Sequence, residues 1–408
     1  MKLEKVYPEA TLGYQRARYA DIKNEFTARF CGEPEFFSAS GRSEIIGNHT
    51  DHNHGAVIAA GINLDAIAAA RANGTSVVRI WDKGYGKALV ADLASLEVNE
   101  RERGRSLALV RGTAGRMAAR GYAVGGFDAV VTSNVLKGSG LSSSAAIEIL
   151  FFTIFNHLYN GGKIPLVEGA KIAKEAENIY YGKPCGLMDQ LACALGALSA
   201  MDFGEIDDPK IESVGFDFAS ALYSLVITDV HARHSDLTDE YAAIIREMRE
   251  VSNFFGKDYL RAVEEADFYA SLKSLRERVS DRAVLRAIHF FEEHRRAVLA
   301  ADFARSGDIE AFLTQINASG ISSELSLQNA YVAGSTSQAL TLALSLSRKI
   351  LSGRGACRVH GGGFGGTILA FVPTEMTATY IDKMNAVFGE GSCTELSVRP
   401  VGACKVEI

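Results

Sequence analysis

The segment Leu136–Ala146, with the sequence LKGSGLSSSAA, is the most informative part of this chain. Gly138 and Gly140 lack the Cβ atoms that would keep backbone N–H groups away from an anion, and three serines follow them. Apolar residues then recur at helical spacing over Ala145–Leu158. The segment predicts a glycine turn at a helix N-terminus, which concentrates donors and positive potential for a phosphate. An ordinary strand-to-helix turn, with a similar sequence, is the alternative. The segment does not match the pattern G-x-x-x-x-G-K-[ST], because no Lys follows its last glycine.

Length and composition narrow the class of protein. At 408 residues the chain predicts two domains, which we place at 1–205 and 206–408. Its net charge of −6 argues against a nucleic-acid or anionic-membrane partner. Its six cysteines form no C-x-x-C pair, which indicates reduced thiols, and the charged N-terminus does not resemble a signal peptide. We expect a cytoplasmic protein that acts as a monomer on small molecules.

The hydrophobic pattern predicts a mixture of strands and helices. In the first half we expect strands at Ser76–Trp81 and Phe127–Val131, and a helix over Leu166–Tyr180 that begins after Pro165. The apolar run Ala56–Ala70 is interpreted as strand, turn and strand. The second half predicts strands at Leu222–Asp229, Thr367–Val372 and near Val398, and helices over Glu240–Phe254, Ala283–Ala304 and Ser335–Leu351.

The segment Ser38–Gly55, SASGRSEIIGNHTDHNHG, carries many short polar side chains around its glycines. Such a loop suits a polyhydroxylated ligand, because each ligand hydroxyl can be paired. A polar surface loop with Asx turns is the simpler alternative. A metal site formed by His49, His52 and His54 is another alternative.

Asp189 lies in a mostly apolar stretch, Lys183–Ala197, with the sequence KPCGLMDQLACALGA. A carboxylate in such surroundings is paired, caps a helix, or is functional. The residues alone leave these three readings open.

Together with Val359–Gly366, VHGGGFGG, these segments resemble the galactokinase family of the GHMP small-molecule kinases. The phosphate loop G-x-G-L-S-S-S-A is matched over 138–145, P-C-G-x-M-D-Q over 184–190, and G-G-G-F-G-G over 361–366. The sugar signature is matched in part within 41–55. The resemblance implies an α+β, two-domain GHMP kinase fold. It has a mixed-sheet N-terminal domain, an α/β-layered C-terminal domain and an active site in the cleft between them.

The same resemblance implies an activity and the residues that perform it. The reaction is ATP-dependent phosphorylation of the anomeric hydroxyl of a galactose-like monosaccharide, with Asp189 as base and Arg42 beside it. Glu177 and Ser144 match the positions that hold Mg²⁺. Sugar-binding positions are matched by Asn48, His49, Asp51, Gly186 and Tyr241. ATP-binding positions are matched by Gly138, Gly140, Leu141, Ser142, Ser143, Ser144 and Ala145.

The departures from the family pattern fall mainly on sugar recognition. The family usually has Asn and Glu where this chain has Glu44 and Asn48, and Tyr where it has His52. In the family that glutamate accepts from a distal sugar hydroxyl, whereas an amide carries no charge and can also donate. A kinase for another aldose, such as an N-acetylated, deoxy or pentose sugar, is therefore an alternative. A catalytically weak sugar and ATP sensor is another, although the retained Arg42 and Asp189 favour an enzyme.

Overall fold

The computed structural model describes residues 1–84, 86–136, 138–206, 208–231 and 237–408, without the side chains of Lys87 and Thr238. Lys137 of the glycine-rich segment therefore lies outside the described residues. Within them the strands are Glu35–Ile46 (β1), Ala56–Ala72 (β2), Val77–Asp82 (β3), Lys87–Asp92 (β4), Phe127–Ser133 (β5), Leu198–Asp202 (β6), Lys210–Ser213 (β7), Tyr223–Asp229 (β8), Ala356–His360 (β9), Thr367–Pro373 (β10), Cys393–Leu396 (β11) and Cys404–Val406 (β12).

The helices alternate with these strands along the chain, and short 3₁₀ turns join several of them. The α-helices are Leu3–Val6 (α1), Leu12–Arg29 (α2), Ser106–Ala119 (α3), Ser143–Asn160 (α4), Leu166–Glu175 (α5), Met188–Leu195 (α6), Thr238–Phe254 (α7), Glu265–Ala270 (α8), Leu272–Arg276 (α9), Asp281–Ser306 (α10), Ile309–Ser322 (α11), Ala339–Leu351 (α12) and Thr377–Phe388 (α13). Two π-helical turns, Ala176–Tyr181 and Ser323–Leu327, extend α5 and α11. The expected helix over Leu166–Tyr180 is thus present, with its last turn widened.

Over the described residues the first sheet has eight strands, in the order β12-β1-β2-β5-β3-β4, with β6 on β2 and β7 on β6. All pairs are antiparallel except β3 and β5. Side chains alternate between two cores, as the two-residue period of a strand requires. On β2, Ala66 and Ala68 face helices α3 to α6, whereas Ile67 and Ala69 pack with Tyr19 of α2.

The expected turn within Ala56–Ala70 is wrong, because β2 runs unbroken from Ala56 to Ala72. β1 pairs along its full length on one edge, while β6 and β5 divide the other edge. At the middle of the strand, Gly61 N–H donates to Ala197 at 3.0 Å and its carbonyl accepts from Arg399 N–H at 2.8 Å. With both backbone groups satisfied across the sheet, the chain has no need to turn there.

The second sheet has the antiparallel order β11-β8-β10-β9. One of its faces packs on α12 and α13 through Ile368 and Ala370, and the other turns Leu369 and Phe371 toward α11. Helices α7 and α10 form a further apolar cluster. The predicted strand near Val398 is found slightly earlier, as β11.

The two halves of the chain share their first sheet. β7 and β12 follow residue 205 in sequence but pair with β6 and β1 of the first half. The division into 1–205 and 206–408 stays a prediction. No helix among the described residues combines the length and apolar character needed to cross a membrane.

Candidate active site

Asp189 and Arg42, which lie on two elements distant in sequence, form an ion pair in which Arg42 is buried and Asp189 is half-buried. Asp189 lies in the first turn of α6, and Arg42 projects from the middle of β1. The Arg42 Nε donates to Asp189 Oδ1 at 2.8 Å, and a terminal guanidinium nitrogen lies 2.7 Å from the same oxygen. Arg42 also donates to the Gly140 carbonyl, and its backbone N–H donates to the Leu141 carbonyl at 3.1 Å. The guanidinium therefore ties the carboxylate to the glycine-rich loop.

Asp189 is held in its ionised form. Burial raises the pKa of its carboxyl group, but the Arg42 charge and the hydrogen bonds from Ser142 and Arg42 outweigh burial, so the pKa lies below its ordinary value. Burial lowers the pKa of Arg42, and the Asp189 and Glu44 carboxylates reverse that effect. The pair thus offers a carboxylate that can accept a proton and a fixed positive charge beside it.

The two glycine-rich segments lie against each other, as phosphate-binding turns at one site would. Gly138 and Gly140 have φ values of +74° and +70°, a region that favours glycine. A Cβ on Gly361 would lie 3.5 Å from the Cα of Gly140. The Thr367 hydroxyl, just after the second turn, donates to the Ser139 carbonyl at 2.7 Å. The loop and the start of α4 are thereby fixed on the second sheet.

The three serines of the loop do not share one role. The Ser142 hydroxyl donates to Asp189 Oδ2, so it supports the carboxylate. Ser143 and Ser144, in the first turn of α4, face a cavity of about 370 Å³, while Leu141 and Ala145 are buried below it. The cavity is lined by Ile80, Asp82, Gly84, Leu89, Ser106, Leu109, Val131, Ser133, Ser143, Ser144, Ile147, Phe151, Glu177, Tyr181 and Lys183.

Glu177 brings a carboxylate to this cavity from the π-helical turn after α5. Its side chain is 4% exposed, and its two oxygens accept from Lys183 Nζ at 3.0 Å and from Gln190 Nε2 at 2.9 Å. Gln190 also donates to Glu148 Oε2 at 3.1 Å. Burial and the Glu177 charge raise the pKa of Glu148 well above its usual range.

The oxygen-rich wall of the cavity fits a hard divalent cation. Ser144 and Glu177 line the same cavity and supply a hydroxyl and a carboxylate, the donor types that Mg²⁺ prefers. Gln190 Oε1 is buried beside them and has no hydrogen-bond partner among the described residues. Such a region has spare acceptor capacity for a cation or its bound water.

Asp51 and Gly186 meet across the site. Asp51 begins a 3₁₀ turn after β1, and a Cβ on Gly186 would collide with its Oδ2. Glycine is therefore needed at position 186 for the carboxylate to lie there. Burial, together with the charges of Asp189 and Glu44, raises the pKa of Asp51 to about 6.

His49 and Tyr241 both contact the glycine turn over residues 361–366. His49 Nε2 lies 3.0 Å from the Gly362 carbonyl, and the Tyr241 hydroxyl donates to the Gly363 carbonyl at 3.1 Å. The rings of His49 and Tyr241 are stacked with centroids 6.4 Å apart. Two residues matched separately to sugar-binding positions, one from each half of the chain, thus lie side by side.

The three histidines of the loop are not arranged as a metal site. His54 stacks on Tyr259 at 3.6 Å, and His49 and His52 present rings 5.8 Å apart. Among the residues that the structure describes, no group of three or more His, Cys, Asp or Glu side chains is placed to hold a metal. The histidine-based metal alternative is therefore not favoured.

Asn48 is more deeply engaged than its predicted role in sugar binding suggests. It is 1% exposed, and its Nδ2 donates to Glu44 Oε1 at 2.9 Å and to the Gly361 carbonyl at 2.7 Å. Its Oδ1 accepts from Asn329 Nδ2 at 2.7 Å. Both amide protons are thus used within the protein, and a sugar-binding role for this side chain stays a prediction.

Several residues of the site were not identified from the sequence. Arg358 is fully buried on β9 and pairs with Glu44 at 2.8 Å, and Asn329 joins Asn48 to the glycine turn. Lys183 directly precedes the P-C-G motif, and Glu148 is a lone carboxylate on the apolar face of α4. A charged residue inside an apolar run was the available signal for Glu148; Arg358 and Asn329 had none.

Two family models match parts of the chain. The model described as "GHMP kinases N terminal domain" matches residues 108–197, and the "Galactokinase galactose-binding signature" matches residues 24–72. The first covers α4, the glycine loop and α6, and the second covers β1 and the Ser38–Gly55 loop. These matches confirm the resemblance that the motifs predicted.

Solved structures show the same fold. Lactococcus lactis galactokinase complexed with galactose superposes with a TM-score of 0.82 at 22% identity, covering 95% of this chain and 100% of that one. Methanococcus jannaschii mevalonate kinase gives 0.63 at 14% identity, covering 90% and 99%. A D-glycero-D-manno-heptose 1-phosphate kinase from Bacteroides thetaiotaomicron gives 0.61 at 15% identity, covering 91% and 99%. The chain has the GHMP kinase fold that the sequence predicted.

Proposed function

We propose that this chain, which has the GHMP kinase fold and carries the galactokinase galactose-binding signature, is an ATP-dependent sugar kinase. It transfers a phosphoryl group to the anomeric hydroxyl of a galactose-like monosaccharide and yields sugar 1-phosphate and ADP. The observation that carries the proposal is the Arg42–Asp189 pair, fixed to the glycine loop and buttressed by Ser142. Ser143 and Ser144, which follow Ser142, line the cavity for the nucleotide.

The chemistry needs a positioned hydroxyl and stabilised phosphoryl charge more than covalent participation. Asp189, ionised at neutral pH, can accept the hydroxyl proton as the oxygen attacks the phosphoryl group. Arg42 stays cationic and lies where it can balance charge that develops between the carboxylate and the phosphate loop. A well-placed base of this kind contributes about 10²–10⁴-fold.

Ser144 and Glu177 would hold Mg²⁺, and Ser143 with the loop backbone would face the phosphates of ATP. Held there, Mg²⁺ would supply positive charge that offsets the negative charge of the ATP phosphates. The apolar part of the same cavity, with Leu109 and Phe151, suits a nucleobase.

Asp51, His49 and Tyr241 are proposed to contact the sugar, with Gly186 leaving room for the Asp51 carboxylate. The hydrogen bonds of Asn48 favour a substrate other than galactose, because both of its amide protons are donated within the protein, to Glu44 and to the Gly361 carbonyl. A different aldose is therefore the second candidate substrate. In that case the reaction is the same and the sugar differs at a distal position.

The test is release of ADP from Mg-ATP with galactose, N-acetylgalactosamine, glucose, fucose, arabinose and glucuronate. We expect one sugar to be turned over, and the NMR spectrum of its product should show coupling between phosphorus and the anomeric proton. Phosphorylation at another hydroxyl would contradict the regiochemistry. Binding of sugar and ATP without turnover of any sugar would favour the sensor alternative.

A further inference from the structure

Lys183 occupies an unusual position for a surface lysine. It lies in the nucleotide cavity with Ser143, Ser144 and Glu177, and its Nζ is 3.0 Å from Glu177 Oε1. Its side chain is 60% exposed, whereas the Glu177 side chain is 4% exposed. A flexible cation therefore covers the outer oxygen of a buried carboxylate.

The contact does not have the character of a stabilising surface pair. Lys183 is the exposed member of the pair, so solvent screens its charge and ordering its side chain costs entropy. The other Glu177 oxygen is already held by Gln190. Lys183 therefore neutralises the one carboxylate oxygen that remains available for a ligand entering from the cavity.

The charges around Glu177 indicate where the Lys183 ammonium would move when a metal ion binds. Burial lowers the pKa of Lys183, but Glu177 and Asp189 outweigh it, so the amine keeps its proton. A divalent cation that binds Glu177 would repel this ammonium at close range. Lysine is a compact charge on a flexible stem, so the group can swing to the phosphate oxygens that arrive with the metal.

We propose that Lys183 is a positioning residue that exchanges partners during nucleotide binding. In the nucleotide-free protein it stands in for the metal on Glu177. When Mg-ATP binds, the metal takes Glu177 and the ammonium moves to the phosphates. This inference rests on the proposed ATP site, and it assigns a role to a residue outside the predicted catalytic set.

The proposal predicts effects of opposite sign on two binding constants, measured by calorimetry without sugar. In Lys183→Gln, Mn²⁺ should bind the nucleotide-free protein about three- to fivefold more tightly, because the competing cation is gone. ATP in EDTA should bind about three- to fivefold more weakly, because a phosphate partner is lost. Lys183→Arg should keep ATP binding in EDTA within about twofold, since it retains the charge.

The matched control is Lys163→Gln, which removes an exposed lysine outside the cavity and should leave both constants unchanged. If both constants weaken in Lys183→Gln, the residue has only a structural role and the proposal is wrong. Unchanged constants would overturn it as well. If the wild-type protein bound ATP neither in EDTA nor with Mg²⁺, the proposed function and this inference would both be overturned.

Discussion

The Asn48 amide donates to Glu44 Oε1 at 2.9 Å, so two of the residues at which the sugar signature departs from its family pattern contact each other. Arg358, fully buried, binds the same Glu44 oxygen at 2.8 Å. The exchange of Asn and Glu between positions 44 and 48 therefore leaves one carboxylate in this pair of positions, and in this chain it lies beside the Arg358 guanidinium. Both departures thus lie in one cluster of contacting side chains.

This contact changes the expected result of restoring Glu at position 48. Asn48→Glu alone would place two buried carboxylates against each other and turn an oxygen toward the Gly361 carbonyl. We expect it to lower the free energy of unfolding by about 1–3 kcal/mol. The double variant Glu44→Asn/Asn48→Glu retains a single carboxylate and should recover at least half of that loss.

A double-mutant cycle measures this coupling, with urea unfolding for stability and the sugar panel for preference. The double variant should shift preference toward galactose, because a carboxylate again lies at position 48. Additive losses of stability, together with an unchanged preference, would show that positions 44 and 48 act independently.

The fall of kcat/KM on the acid side of its pH profile should reflect protonation of the Asp51 carboxylate. Its pKa is raised to about 6, so it becomes protonated as the pH falls through 6 and can no longer accept from a sugar hydroxyl as an anion. Asp189, with a lowered pKa, stays ionised over that range. We expect kcat/KM for the sugar to fall about tenfold per pH unit below pH 6.

Asp51→Asn provides the control for that assignment. It should bind sugar weakly at all pH values and lose the limb near pH 6. An acid limb in the wild-type profile centred below pH 4 would instead point to Asp189 and contradict the Asp51 assignment.

Asp65 should be among the most costly residues to remove from the first sheet. It is fully buried on β2 and pairs with Arg18 at 2.8 Å and with the buried Arg399 at 3.1 Å. Asp65→Ala leaves a buried guanidinium without its carboxylate, which should cost about 3–5 kcal/mol in urea unfolding. Asp21→Ala breaks the exposed pair with Lys83 and should cost at most about 1 kcal/mol. Equal losses in the two variants would contradict this account.

Much of the site could be predicted because its chemistry is local in sequence. The glycine loop and the start of α4 are adjacent residues, so turn and helix signals identify them directly. Asp189 stood out as a carboxylate in an apolar stretch, and the structure pairs it with Arg42.

The remaining contacts could not be predicted, because they depend on tertiary pairing. Glu44 and Arg358 are 314 residues apart, and each is an unremarkable charge in its own segment. The continuity of β2 depends on partners from β6 and the C-terminal segment, which no local pattern reveals. Ser142 similarly turned to Asp189 because Arg42 holds that carboxylate against the loop.

The most direct test of the central claim is sugar-dependent ADP release by Asp189→Asn, measured beside sugar affinity by calorimetry. Because Asn cannot accept the hydroxyl proton, we predict loss of turnover by at least about 10²-fold, with sugar affinity within a few-fold of wild type. Turnover near the wild-type rate would remove Asp189 from the mechanism and contradict the proposed kinase site.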